Sequence, residues 1–378
     1  MTYTLKLFDV PLLQFQVVEN VAEPVVNIVW IDSAKEHLLP LDLEPTNESL
    51  SRWIRHRTIP KNRAYSPLLL ATCGLNANRP MDVISVCLGL SLNDSYWVTE
   101  ESDPRSFEKS NLFDNRFSEI LAWTAFTGYG SSVRSSFSSS PEFTTNGMLP
   151  KCWRRIEGNI YLFKGATSGY SNAGCEPYSE MYASQIGKAM GVSVIPYEVR
   201  KWKGNLCSVC ELFTSKEVSY VPIGRVVREG GMAAVKRYFA SLGEHFTQAL
   251  QEMIVFDAII CNTDRHYGNF GLLVDSRTRK ILSPAPLFDH GNSLFNFAGE
   301  ERWASEQLLN DYIDTLLPVA YDDFIGEARK ALNHELREKV RPLLDFHLEK
   351  QGKWNYPAKK LKVIEQQVQK RAQMILAK

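Results

Sequence analysis

The sequence predicts an α+β fold, and two observations carry that expectation. Short apolar runs bounded by turn residues fill the first part of the chain, and helical spacing takes over beyond about residue 216. The composition is that of an ordinary globular protein: 44 % of the 378 residues are apolar and 23 % charged. With 43 basic against 43 acidic side chains, the chain lacks the basic excess of a protein that coats nucleic acid or anionic membrane. Direct nucleic-acid binding is therefore disfavoured.

At about 150 residues per domain the length allows two or three domains. No apolar run approaches the roughly 18 residues of a membrane span; the strongest, 253–261, carries Asp257. The first residues hold a single lysine before a broken apolar stretch and no small-residue cleavage pattern, which argues against a secretory signal. Seven scattered cysteines, an odd number, suit free thiols in a reducing compartment, so a cytoplasmic location is expected.

Taken in order, residues 25–31 and 83–90 read as strands and 47–57 as a helix, in a region, 1–110, without a recognisable motif. Residues 111–126 carry Leu112, Phe113, Phe117, Ile120, Leu121 and Trp123 at helical spacing, with Gly128 as a stop signal. The serine-rich run 131–140 reads as a flexible segment. Two strands, 152–156 and 159–163, turn at Gly158, and the second ends at Lys164. A Gly/Ser-rich loop follows, then a helix over 176–190 and a strand pair over 192–199 and 206–213. The helical part includes 249–261 and a C-terminal helix with Leu361, Ile364, Val368 and Ile375 on one face. Cys207 and Cys210 suggest zinc by spacing alone, but no second pair completes four ligands.

The chemistry concentrates in 256–271, where an apolar helix runs into a polar turn and then a strand. Asp264 and Asn269 lie five apart, the spacing of a phosphotransfer base and its metal-binding asparagine. Asp289-His290-Gly291 follows twenty residues after Asn269 and matches the D-x-G form of a second metal ligand. A hairpin across 271–287 would return it beside Asp264. Two carboxylates and an amide suit Mg²⁺, which prefers hard oxygen ligands together with substrate phosphates. Asp264 would orient the acceptor hydroxyl and take its proton, while His266 braces the turn. Lys164 ends a strand, where a lysine would neutralise nucleotide phosphates, and Glu180 on the next helix would pair with it.

From Asn262 to Gly271, and again over Leu287-Phe288-Asp289-His290-Gly291, the chain resembles the HipA-like bacterial serine/threonine kinases, which share the D-R-H-x-x-N form with phosphoinositide kinases. Upstream, Gly147-Met148-Leu149-Pro150-Lys151 is similar to that family's nucleotide loop, and Ile160 to Lys164 to the strand bearing its ATP lysine. Cys210-Glu211-Leu212-Phe213 is similar to its hinge, where backbone groups of Glu211 and Phe213 would meet adenine. The resemblance implies a bilobal protein-kinase-like fold with a β-rich N-lobe over 111–215, a helical C-lobe over 216–378 and an extra N-terminal region, 1–110. It implies ATP and Mg²⁺ as cofactors, Asp264 as the catalytic base with His266 beside it, and Asn269 and Asp289 on the metal. Gly147, Lys151, Lys164, Glu180, Glu211 and Phe213 would form the nucleotide site. Thr214 stands where the family often has an acidic residue, and Tyr267-Gly268 replaces a frequent basic one.

The activity expected is phosphoryl transfer to a Ser or Thr hydroxyl of a protein substrate or of the chain itself, with an antitoxin-like protein partner in a toxin–antitoxin setting. Thr144, Thr145 and the serines of 131–140 are the candidates for autophosphorylation. Two alternatives stand beside this reading: a lipid or small-molecule kinase, and a catalytically silent nucleotide-binding regulatory protein.

Overall fold

The computed structural model describes residues 1–18, 25–75, 79–129 and 139–377. Strands and helices mix throughout, as the α+β expectation requires. The chain forms two compact units: Met1–Lys164 with Leu212–Val221 and Leu273–Leu282, and Gly165–Glu211 with Pro222–Leu272 and Ser283–Lys378.

In the first unit, an antiparallel sheet has the order Val25–Ile31, Val10–Val18, Thr2–Leu7, Tyr96–Glu100. Alternation along its strands sends Leu5, Leu13, Phe15 and Val26 inward, where they pack with Leu50, Trp53 and Ile54 of the helix Asn47–Arg55. Each such side chain taken from water contributes about 1.5–3 kcal/mol. Thr46 caps that helix, its hydroxyl accepting from the Ser49 amide at 3.2 Å. Strands Lys151–Ile156 and Asn159–Gly165 form the expected hairpin. A three-stranded sheet has the order Ile281–Pro284, Gly271–Asp275, Val218–Pro222.

Three expectations are corrected. Residues 83–90 are not a strand; they belong mostly to the helix Pro80–Cys87, whose Val83, Ile84 and Cys87 are buried. A short apolar run cannot distinguish a strand from a buried helix, and Pro80 at the first turn was the signal that decides it. Residues 111–126 are not one helix. The Asn111 side chain accepts from the amides of Phe113 and Asp114, both at 2.9 Å, and this turn delays the helix to Glu119–Thr127. Of 192–199 only the end is strand, within Glu198–Trp202, because Pro196 lacks the amide that would continue a ladder. The serine run of 131–138 lies outside the described residues.

In the second unit, the helix Glu244–Ile260 is buried on every side from Met253 onward, as suits a helix at the centre of a helical unit. Around it stand Glu176–Ala189, Gly231–Leu242, Phe324–Ala331 and Ala358–Leu376, the last burying Leu361, Ile364, Val368 and Ile375. The central helix ends at Cys261 with φ 50°, a left-handed cap that turns the chain into the polar loop. No helix among the described residues is long and apolar enough to cross a membrane.

Candidate active site

The polar loop after Cys261 is held by a buried clasp. Arg265 and Asp257 are both fully buried, and the guanidinium meets the carboxylate through Nε and Nη2, each at 2.9 Å. Burial pushes the Asp257 carboxyl above the usual carboxylate range, and the charge of Arg265 acts against that shift. Nη1 of Arg265 donates to the Phe288 carbonyl at 2.6 Å and to the Asn269 carbonyl at 3.2 Å. One side chain thus holds the two motif stretches, twenty residues apart in sequence, in a fixed relation. Nη2 also lies 3.1 Å from His290 Nδ1, and since arginine can only donate, that nitrogen is the acceptor. The guanidinium is turned inward to Asp257.

With Arg265 directed inward, Asp264 and Asn269 are positioned by neutral donors and acceptors. The Asp264 amide donates to Asn262 Oδ1 at 3.1 Å, and its carboxylate Oδ2 accepts from Asn292 Nδ2 at 3.0 Å. The Thr263 amide donates to the Asn292 carbonyl at 3.1 Å, so this contact has a backbone anchor. Asn269 Nδ2 donates to the Asp264 carbonyl at 3.3 Å, which leaves the amide oxygen as the end that can meet a cation. His266 is exposed, and its Nδ1 accepts from the Gly268 amide at 3.0 Å, a turn-bracing contact. Tyr267 packs against Gly224, where an added Cβ would come within 2.9 Å of the Tyr267 Cβ; the Gly224 amide donates to the Tyr267 carbonyl at 2.9 Å.

The hairpin returns the chain as expected: the Asp275 amide donates to the Lys280 carbonyl at 2.8 Å, and Leu287 bridges in parallel to Val194. Asp289 has φ 59°, a left-handed backbone that costs a non-glycine residue energy and needs support. Support comes from two sides. Its amide donates to the Tyr197 hydroxyl oxygen at 3.2 Å, and the next amide, of His290, donates to Glu180 Oε2 at 2.8 Å. Burial holds the Tyr197 phenol well above its usual range, so it stays protonated. Asn262, Asn292 and Tyr197 were missed by sequence reasoning. The first follows the helix end and was legible as a turn residue, whereas the other two act through folding.

Asp264, Asn269 and Asp289 thus offer two carboxylates and an amide oxygen, a hard donor set of the kind Mg²⁺ takes together with phosphates and water. Among the described residues, no group of three or more His, Cys, Asp or Glu side chains is assembled for a metal. Glu176 closes the Gly/Ser-rich loop: its Oε1 accepts from Thr167 Oγ1 at 2.6 Å and from Asn172 Nδ2 at 2.8 Å.

In the first unit, Lys151 and Lys164 face each other across the hairpin, and both are buried. Gly147 has φ 91°, a left-handed backbone that favours glycine, and its Cα lies close under the end of the Lys151 side chain. Arg63 holds that loop. Its Nη2 donates to Glu142 Oε2 at 2.6 Å and to the Lys151 carbonyl at 2.8 Å, with both partners of the ion pair buried. Phe213 meets Tyr220 edge-on at 5.5 Å, and Glu211 ends its strand exposed. The Thr214 hydroxyl donates to the Leu92 carbonyl at 2.5 Å, so it is turned into the protein. Thr144 and Thr145 donate to the carbonyls of Leu90 and Pro141 at 2.8 and 2.7 Å.

No protein-family model matches the chain. No curated protein matches its sequence. Solved structures do. The HipA chain of the Shewanella oneidensis MR-1 toxin–antitoxin complex of HipA, HipB and operator DNA superposes with a TM-score of 0.55 at 11 % identity, covering 98 % of this chain and 96 % of that one. The Helicobacter pylori proinflammatory kinase CtkA matches with a TM-score of 0.48 at 15 % identity, over 61 % of this chain and 90 % of that one. The chain has a HipA-like kinase fold. At such identities the likeness concerns the fold and not the reaction.

Proposed function

We propose that this protein is an ATP- and Mg²⁺-dependent kinase that phosphorylates a serine or threonine hydroxyl, on itself or on another protein. The observation that carries the reading is the Arg265 clasp, which binds the carbonyls of Asn269 and Phe288 and so holds the base-bearing loop and the D-x-G stretch together. In phosphoryl transfer, positioning and charge neutralisation carry most of the catalysis, and the buried Arg265 guanidinium supplies positioning. Asp264, oriented by Asn292, would accept the hydroxyl proton as the acceptor oxygen bonds to the γ-phosphorus of ATP and the bond from that phosphorus to the departing ADP breaks. Asn269 and Asp289 would hold Mg²⁺, which would neutralise the phosphates. By the resemblance, Lys151 and Lys164 would meet nucleotide phosphates, and backbone groups of Glu211 and Phe213 would meet adenine. Glu180 acts on the same site by fixing the His290 amide.

The test is incubation with Mg²⁺ and γ-labelled ATP beside Asp264→Asn and Asp289→Ala, with phosphosites mapped by mass spectrometry. Label on Ser or Thr in the wild type, reduced by at least about a hundredfold in both variants, is the expected result. Transfer that survives in Asp264→Asn would overturn the assignment of the base. Label found only on a lipid or small molecule would replace the protein acceptor. The Shewanella HipA is seen with HipB and operator DNA. A protein partner of that kind belongs to the same proposal, supported here by fold alone.

A further inference from the structure

Behind the motif loop, within the second unit, lies a cavity of about 260 Å³ that none of the proposed chemistry uses. Its floor is apolar: Met253 of the central helix, Phe270 and Leu287 are all buried. Its rim is polar, formed by the hydroxyls of Ser193 and Ser283 and the imidazole of His245. Neither hydroxyl makes a hydrogen bond among the described residues, so both are available to a ligand. Glu252, also on the wall, is neutralised by Lys339 at 2.5 Å. An apolar floor with a few convergent polar groups is the usual make-up of a small-molecule site.

We infer that this cavity is a binding site for a small, uncharged, largely apolar molecule carrying one or two hydrogen-bonding groups. The volume lies just under the roughly 300 Å³ at which drug-sized pockets begin, which limits the occupant to one or two rings. The neutralised wall gives no reason to select a charge. The floor is shared with the motif stretches: Phe270 follows Asn269 directly, and Leu287 stands two residues before Asp289. The Leu287 amide donates to the Ser193 carbonyl at 2.7 Å, and the Ala285 amide to the Gly271 carbonyl at 2.9 Å, so rim, floor and hairpin form one bonded frame. A ligand that fills the cavity therefore stiffens the segments carrying Asn269 and Asp289. That last step rests on no assumption about the reaction and is read from backbone exchange.

The probe is indole, titrated into full-length protein labelled with ¹³C at the methionine methyl groups, the Met253 signal being assigned by Met253→Leu. Indole is expected to shift the Met253 methyl signal saturably, with the other seven methionine signals moving little. It is also expected to slow hydrogen exchange at least threefold in peptides covering 268–273 and 283–289. Ala249→Phe, filling the cavity from the helix side, and Ser283→Phe, filling it from the hairpin side, should each weaken the response at least tenfold. The site is refuted if the Met253 signal stays fixed up to the solubility of indole, if all methionines shift together, or if both fillers leave the response intact. Binding without exchange protection would refute the coupling. Because no arm measures phosphoryl transfer, loss of the kinase reading would leave these outcomes unchanged.

Discussion

Arg265–Asp257 in one unit and Arg63–Glu142 in the other are buried arginine–carboxylate clasps that do the same mechanical work from different distances along the chain. Arg265 reaches Asp257 eight residues away and uses its remaining donors on the carbonyls of Asn269 and Phe288. Arg63 reaches Glu142 across seventy-nine residues and also donates to the carbonyls of Glu142 and Lys151. In both cases burial pushes the carboxyl upward and the arginine opposes it, so neither pair is an obvious source of net stability. What each pair does is fix a loop bearing candidate site residues: Asp264 and Asn269 in one unit, Gly147 and Lys151 in the other. The comparison gives the motif-free region 1–110 a role, since through Arg63 it supports the loop read as the nucleotide loop.

The largest expected effect tests whether the clasps are equivalent. Arg265→Ala and Arg63→Ala should each lower unfolding stability by about 3–5 kcal/mol, because each leaves a carboxylate buried without its partner. Urea unfolding measures both. The double change Arg63→Met with Glu142→Leu should recover most of that stability while ATP binding stays weakened, because the carbonyl of Lys151 has still lost its donor. If the double variant binds ATP like the wild type, Arg63 is structural filling and the parallel with Arg265 fails.

The difference in reach also explains what was legible in the sequence. Asp264, Asn269 and Asp289 could be read because their spacing is local and the turn chemistry between them is carried by neighbours such as Asn262 and His266. The hairpin of Lys151 and Lys164 was legible for the same reason, with Gly158 at its turn. Arg63 was not, because nothing near it in sequence hints at Glu142. Asn292 and Tyr197 belong with Arg63: each acts on a motif residue from another segment, and their contacts exist only once the fold brings the segments together. The misread stretches failed locally. Residues 83–90 were apolar enough for either strand or buried helix, and 111–126 had helical spacing that the Asn111 side chain interrupts.

A smaller effect separates positioning from support within the second unit. Asn292→Ala removes a hydrogen bond to the Asp264 carboxylate, a charged acceptor, at a cost of about 1.5–3 kcal/mol in the interaction. Asp264 is half-buried and water can replace part of that bond, so global stability should fall by less than about 1 kcal/mol. The rate of transfer should nonetheless drop roughly tenfold or more, in kcat and not in the KM for ATP. A loss confined to stability would mean that Asn292 supports the loop without orienting the base.

The smallest effect is expected at Tyr197, and it tests the support given to the strained backbone of Asp289. Tyr197→Phe removes the oxygen that accepts the Asp289 amide at 3.2 Å but keeps the ring against His290, whose centroid is 6.3 Å away. A single neutral hydrogen bond is worth about 0.5–1.5 kcal/mol, so stability should change little. The Asp289 backbone sits at a positive φ and is held on one side by this oxygen and on the other through the His290 amide to Glu180. Removing one support should loosen the carboxylate more than it loosens the fold. The expected signature is a severalfold rise in the Mg²⁺ concentration needed for half-maximal transfer, with the rate at saturating Mg²⁺ nearly unchanged. Glu180→Gln keeps an acceptor for the His290 amide and should move the same midpoint less than Tyr197→Phe does. If Glu180→Gln has the larger effect, the support of Asp289 runs through the helix of Glu180, and its charge matters beyond the hydrogen bond.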